Sequence, residues 1–284
     1  MTAAAAAETW APAFPALLPP LAREGHSTFT FAPDGPPPVR VFAYVPPALS
    51  RRTRLLVVMH GRLRNAGDYL GAWAAWAARS DHVVLAPCFD RHGWPGVRGY
   101  NLGNVLSRRN GRSAVVPSGR WAFTVVETLV AHVRLQLELA DDRFALWGHS
   151  AGGQFVHRFL LFRPRAKIRL AVAAGCGWYT APDPAATFPY GTAHAALPIG
   201  DLRAYVAQPL VLMRGGDDTA RDTGLRVTRR ADAQGPNRHA RAAFMLAAAK
   251  RLDAGTRWRL VDVPGVGHDA ARMAAAAQAL WTSL

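Results

Sequence analysis

Two cysteines in 284 residues, Cys88 and Cys176, are too few for a disulfide framework, and no CxxC is present. That excludes a small disulfide-stapled scaffold and suits a reducing compartment. Nowhere do 18 apolar residues run without a charge or a proline, so no membrane span is expected. The N-terminus also reads as a poor secretion signal. The alanine run at 3–7 has no basic residue before it and is followed by Glu8 and by prolines at 12, 15, 19 and 20. A cytoplasmic location is therefore expected. Charge is sparse, at 19 % of residues, while half of the chain is apolar. A disordered chain has the opposite balance, and a chain of this size buries about three quarters of its unfolded surface in a core.

Lysine is almost absent. Of 34 basic residues 32 are Arg, against 19 acidic ones, for a formal charge of +15. Together with 54 Ala, this skew resembles the codon usage of a GC-rich genome more than a phosphate-binding design. The arginines are scattered, with knots only at Arg51-Arg52-Thr53-Arg54, Arg108-Arg109 and Arg163 to Arg169. Diffuse charge gives attraction that salt screens, so no specific nucleic-acid partner is expected.

The first 38 residues, rich in Ala and Pro, read as a loosely ordered leader with one short strand near Ser27 to Phe31. From 39 to 284 the pattern is that of one domain. Short β-branched and apolar runs recur at Arg40–Val45, Leu55–Met59, His82–Ala86, Phe144–Trp147, Ile168–Ala173, Pro209–Met213 and Trp258–Val263. Between several of them lie helical periodicities at Ala66–Arg79, Trp121–Leu139, Gln154–Phe162, Arg238–Leu252 and Ala270–Leu284. Alternation of this kind predicts an α/β fold: a three-layer α/β/α sandwich on a mostly parallel sheet of about eight strands. Residues 178–208 break the alternation and read as a small irregular insertion.

The chemistry concentrates at Gly148-His149-Ser150-Ala151-Gly152, a G-x-S-x-G between an apolar strand and a helix. A sharp strand-to-helix turn lifts the serine hydroxyl above the sheet, and glycines leave room for a tightly packed backbone. By composition alone the pattern is expected about 0.06 times in this chain. A nucleophilic serine needs a base, and the base needs an orienting acid. His268 follows the last strand in a glycine-rich loop, and two acids, Asp217 and Asp218, end the strand before it. Asp218 fits a G-x-x-D spacing from Gly215 and is preferred over Asp217, which suits a loop-holding role. After Leu55–Met59 the loop His60-Gly61-Arg62 is placed to supply an oxyanion-hole N–H at Arg62, or at Leu63, paired with that of Ala151. Trp94, Tyr100, Trp178 and Tyr179, with Phe89, Phe188 and Tyr190, fall in segments near the same rim and are candidates for a pocket wall or for packing of the insertion. Arg62 and Arg64 are candidates for attracting an anion or are ordinary surface arginines.

The order His-Gly loop, G-x-S-x-G, G-x-x-D and late Gly-His over about residues 39–284 resembles the α/β-hydrolase superfamily. Within it, His60-Gly61-x-x-Arg64-Asn65, Trp94-Pro-Gly, Tyr100-Asn-Leu-Gly103-Asn104 and Gly177-Trp178-Tyr179 resemble bacterial poly(3-hydroxybutyrate) depolymerase-type esterases. The resemblance implies hydrolysis of a small-molecule ester through an acyl-serine, with Ser150, His268 and Asp218 as the triad and with no cofactor or metal. In that superfamily's strand order the strands before Cys88 and Cys176 stand three positions apart, about 14 Å, too far for a disulfide. Two rivals remain: the same triad acting on an amide, thioester or peptide, and a non-catalytic protein binding anions or nucleic acid on a hydrolase scaffold.

Overall fold

The computed structural model describes residues 21, 24–109, 112–194 and 196–282. Most of the expected leader, residues 1–20 with 22 and 23, and the end of the last expected helix lie outside the described residues. In chain order the elements begin with β1 (Gly25–Phe31), β2 (Val39–Val45), β3 (Arg54–Met59), α1 (Ala66–Ala77) and β4 (His82–Cys88). A short helix α2 (Gly96–Gly99) and a hairpin of β5 (Leu106–Arg109) and β6 (Arg112–Val115) follow, then α3 (Ala122–Gln136), β7 (Phe144–His149), α4 (Ala151–Phe162) and β8 (Ile168–Ala174). The chain ends through α5 (Leu202–Val206), β9 (Leu210–Gly215), α6 (Arg229–Asp232), α7 (Arg238–Leu252), β10 (Arg259–Val263) and α8 (Ala270–Thr282).

A run of apolar residues with no polar alternation is stable as a strand only if both faces are covered. β4 and β7 are buried at every position, and β3 at every position after Arg54. Their side chains alternate between two cores. Leu55, Val57 and Met59 join Val83, Leu85 and Leu146 in one, and Leu56 and Val58 join Val84, Ala86 and Trp147 in the other. The first core is closed by residues of α3, α4 and α7 such as Val125, Phe155 and Met245. The second is closed by Trp73 of α1 and Met273 of α8. The result is a three-layer sandwich on one eight-stranded sheet, ordered β1-β2-β4-β3-β7-β8-β9-β10.

Among the described residues of this sheet, the β1–β2 and β2–β4 pairs are antiparallel and the neighbours along β4-β3-β7-β8-β9-β10 are parallel. The parallel strands therefore deliver the loops after β3, β7, β8, β9 and β10 to one rim. β1 lies inside the stretch read as leader, yet it is one of the sheet's two edge strands, in full register with β2. Cys88 and Cys176 are both free and buried, and β4 and β8 stand three positions apart. The β5–β6 hairpin and the short helices α2, α5 and α6 carry no period long enough to announce them. Within the expected insertion, residues 178–194 and 196–201 follow an irregular path, with an isolated bridge from Thr187 to Ala193, before α5.

Trp73 ties the second core together. It is fully buried, and its ring centroid lies 5.2 to 5.3 Å from those of Trp76, Trp147 and Trp281, joining α1, β7 and α8. Trp73→Ala is expected to cost about 3–5 kcal/mol of folding stability. Urea denaturation followed by tryptophan fluorescence and circular dichroism checks this, and an unchanged midpoint contradicts it.

Candidate active site

Between β7 and α4 the chain turns so sharply that Ser150 sits at φ 59° and ψ −115°. A non-glycine residue held there stores about 1–3 kcal/mol, and close packing around the turn holds it. A Cβ on Gly152 would lie 2.0 Å from the Met59 carbonyl oxygen, so β3 abuts the first turn of α4 only because that residue has no side chain. The backbone N–H of Ser150 donates to Ala174 O at 2.8 Å, fastening the turn to β8. The N–H groups opening α4 stay clear of intrahelical acceptors and carry the positive end of the helix dipole.

His268 and Asp218 reach this turn from the far side of the sheet. β9 and β10 end in register, Gly215 opposite Val263, and their loops are laced together. Gly216 N–H donates to Val263 O at 2.8 Å and Asp217 N–H to Val266 O at 3.0 Å. This brings the Asp218 carboxylate, 3 % exposed, to 2.8 Å from His268 Nδ1. A carboxylate only accepts, so Nδ1 carries the proton and Nε2 is left to accept. Nε2 lies 3.0 Å from Ser150 Oγ, which donates to it. His268 must cross the end of β8 to get there, and it does so over Gly175. A Cβ on that residue, at φ +53°, would meet His149 Nε2 at 2.8 Å and His268 Nδ1 at 3.3 Å.

Of the two candidate acids, Asp218 touches His268, and Asp217 is exposed and anchors its loop through its backbone. The second oxygen of Asp218 accepts from Arg238 Nη1 at 3.2 Å, and Arg238 also grips both oxygens of Asp222 at 2.8 and 2.9 Å. Burial works against the Arg238 charge, but the bonds to Asp222 and Asp218 outweigh it and raise its pKa. The same bonds from Arg238 hold the Asp222 carboxyl well below its usual range. Arg238 and Asp222 were invisible in the sequence, because nothing local marks the first residue of α7 as the partner of a residue 20 positions earlier.

The loop after β3 is shaped from within. His60 is fully buried; its Nε2 accepts from Phe89 N–H at 3.0 Å, so its Nδ1–H donates to Gly61 O at 2.9 Å. Burial lowers its pKa to about 3. Arg64 is not an ordinary surface arginine: it bonds the carbonyls of Phe89, Trp94 and Gly96 and lies 4.3 Å above the Tyr100 ring. Arg62 and Ala151 border one cavity with Ser150, and among the described residues their N–H groups donate to no protein acceptor. That cavity holds about 400 Å³. Tyr100 and Trp178 line it, whereas Trp94 and Tyr179 do not. Trp94 packs behind the wall, edge-on to Phe89 at 5.1 Å, and Tyr179 is held by its backbone, whose N–H donates to Gln234 Oε1 and whose carbonyl accepts from Gln234 Nε2, both at 2.8 Å. Gln154, one turn past Ser150, also borders the cavity, its Oε1 held by Asn101 at 2.9 Å. No group of three or more His, Cys, Asp or Glu side chains close enough to share a metal ion occurs among the described residues.

No family model and no curated protein matches the chain. Solved structures do. Poly(aspartic acid) hydrolase-1 from Sphingomonas sp. KT-1 is 33 % identical with a TM-score of 0.87, over 92 % of this chain and 100 % of that one. The poly(3-hydroxybutyrate) depolymerase from Bordetella parapertussis is 31 % identical with a TM-score of 0.85, over 92 % and 90 %. This chain belongs to the α/β-hydrolase superfamily. An S-formylglutathione hydrolase from Agrobacterium tumefaciens, 17 % identical with a TM-score of 0.62 over 93 % and 95 %, shares the fold. Among the described residues of the hydrolase no helix is long and apolar enough to cross a membrane.

Burial lowers the pKa of His60, His149 and His157, all three fully enclosed. A histidine kept neutral in the folded state is protonated in the unfolded chain below about pH 6.5, so the unfolded state binds more protons and stability drops as the pH is lowered. For His60 the loss continues down to a pH of about 3. The hydrolase is expected to lose stability as pH drops from about 6.5 to 5, each such imidazole contributing at most about 1.4 kcal/mol per pH unit while the pH lies below its unfolded value and above its lowered folded one. Urea midpoints across that range check it; equal midpoints contradict it.

Proposed function

We propose that this hydrolase cleaves a carboxylic ester through an acyl-serine on Ser150. The observation that carries the reading is the unbroken chain of hydrogen bonds from Ser150 Oγ through His268 to Asp218, raised on a strained turn beside an open cavity. As Ser150 Oγ attacks the carbonyl carbon, its proton passes to His268 Nε2, and Asp218 stabilises the imidazolium that forms. Negative charge then grows on the carbonyl oxygen, where the N–H groups of Arg62 and Ala151 are the donors, each contributing about 3–4 kcal/mol to the transition state. The tetrahedral adduct collapses and expels the alcohol, which takes the proton from His268. Water repeats the sequence in reverse: it gives a proton to His268, attacks the acyl carbon, and frees the acid and Ser150.

His149 supports this arrangement. Its ring lies against that of His268, with centroids 4.5 Å apart and planes tilted by 37°, and burial, reinforced by the nearby Arg238 charge, keeps it neutral. It can therefore hold the His268 ring without competing for the proton. An amide is the second reading, favoured by the similarity to a protein described as a poly(aspartic acid) hydrolase; the same residues would perform it, with an amine as leaving group.

Turnover of a short-chain aryl ester tests the assignment. Ser150→Ala is expected to abolish it. Asp218→Asn is expected to lower kcat about 10⁴-fold by leaving the imidazole in the wrong tautomer, while Asp217→Asn stays within about twofold of the parent. Turnover retained by Ser150→Ala, or a larger loss from Asp217→Asn than from Asp218→Asn, removes the reading.

A further inference from the structure

Resting on the reading of Ser150 as the nucleophile, we propose that a second cavity beyond Trp178 is a subsite for anionic groups on a chain-like substrate that extends away from the scissile bond. This cavity holds about 430 Å³ and adjoins the one at Ser150, with Val97, Trp178 and Arg226 lining both. Arg98 and Arg230 line only the second, and no Asp or Glu lines either. Arg98, Arg226 and Arg230 are exposed, and none is ion-paired among the described residues. Arg226 is nonetheless fixed in place, donating from Nε to Tyr190 Oη at 2.6 Å.

Exposed arginines are ordinary on a chain that has 32 of them. What lies behind the shared wall is not. Arg158 is fully buried, is ion-paired with no carboxylate, and its Nη2 has no hydrogen-bond partner among the described residues. Its other nitrogens bond Thr180 Oγ1 and the carbonyls of Asn101 and Gln154. The Arg158 guanidinium carbon is 4.1 Å from the Trp178 ring centroid, and that of Arg226 is 5.2 Å from it. A buried cation without a counter-ion destabilises the fold. Its field is weakly screened by the surrounding low dielectric and adds to that of the exposed arginines in both cavities. An anion seated beside Trp178 supplies the missing countercharge, and guanidinium pairs suit carboxylates or phosphates. Two adjoining cationic cavities fit a substrate with at least two anionic groups along its length, one near the reacting carbonyl and one beyond Trp178.

The test is calorimetric binding at about 0.15 M salt, where nonspecific attraction is screened. The probes are glutarate, which fills one cavity, and an inert oligoacrylate long enough to span both. The parent enzyme is expected to bind the oligoacrylate at least about tenfold more tightly than glutarate, and Arg98→Gln/Arg230→Gln to lose that advantage. Arg51→Gln/Arg52→Gln removes the same charge at the opposite end of β3 and is expected to keep it. Equal losses in the two double variants, or no effect of chain length in the parent, overturns the subsite. Labelling of Ser150 by an organophosphonate, run in parallel, separates failure of the nucleophile assignment from failure of the subsite, because calorimetry reads binding without turnover.

Discussion

A carboxylate that is 3 % exposed cannot stand alone, and the burial of Asp218 sets the terms for everything at this rim. Its two oxygens are divided between His268 and Arg238. The first contact fixes which ring nitrogen of His268 bears hydrogen, and so leaves Nε2 directed at Ser150. The second gives the buried carboxylate a cationic partner besides the imidazole. Asp222, more exposed, completes the network by holding Arg238 from its outer side. The arrangement works only because β9 and β10 end level with each other and because Gly175 offers no side chain where the imidazole crosses β8.

Much of the fold is legible in the sequence because buried parallel strands need unbroken apolar runs. Leu55–Met59, His82–Ala86 and Ile168–Ala173 stand close to their expected limits for that reason. β1 was visible as a strand, but its partner was not: an edge strand pairs through the backbone, which carries no sequence signature. G-x-S-x-G and the late Gly-His announced the turn and the histidine that reaches it, since both depend on local geometry. The contacts that span long separations were silent. Arg238 and Asp222 lie in a stretch dense with arginine, and Arg64 looked like one more surface cation although it bonds three carbonyls. Aromatic residues near the rim could not be sorted into wall and packing by position, because Trp178 and Tyr179 are neighbours and only the first meets the cavity.

The arginine bias of the chain has two different consequences. On most of the surface it is composition. Around Ser150 and beyond Trp178 it acts differently, because the cavities lack carboxylates and a buried guanidinium stands behind them. Strained turn, paired acid and cationic walls thus join in the proposed reading: chemistry held by short-range hydrogen bonds, with charge selecting the substrate.

The most direct measurement is a crystal structure of the enzyme after reaction with an organophosphonate. The account predicts phosphorus bonded to Ser150 Oγ, with the phosphonyl oxygen within hydrogen-bond distance of the N–H groups of both Arg62 and Ala151. Phosphorus on another side chain, or that oxygen directed away from these two donors, contradicts it.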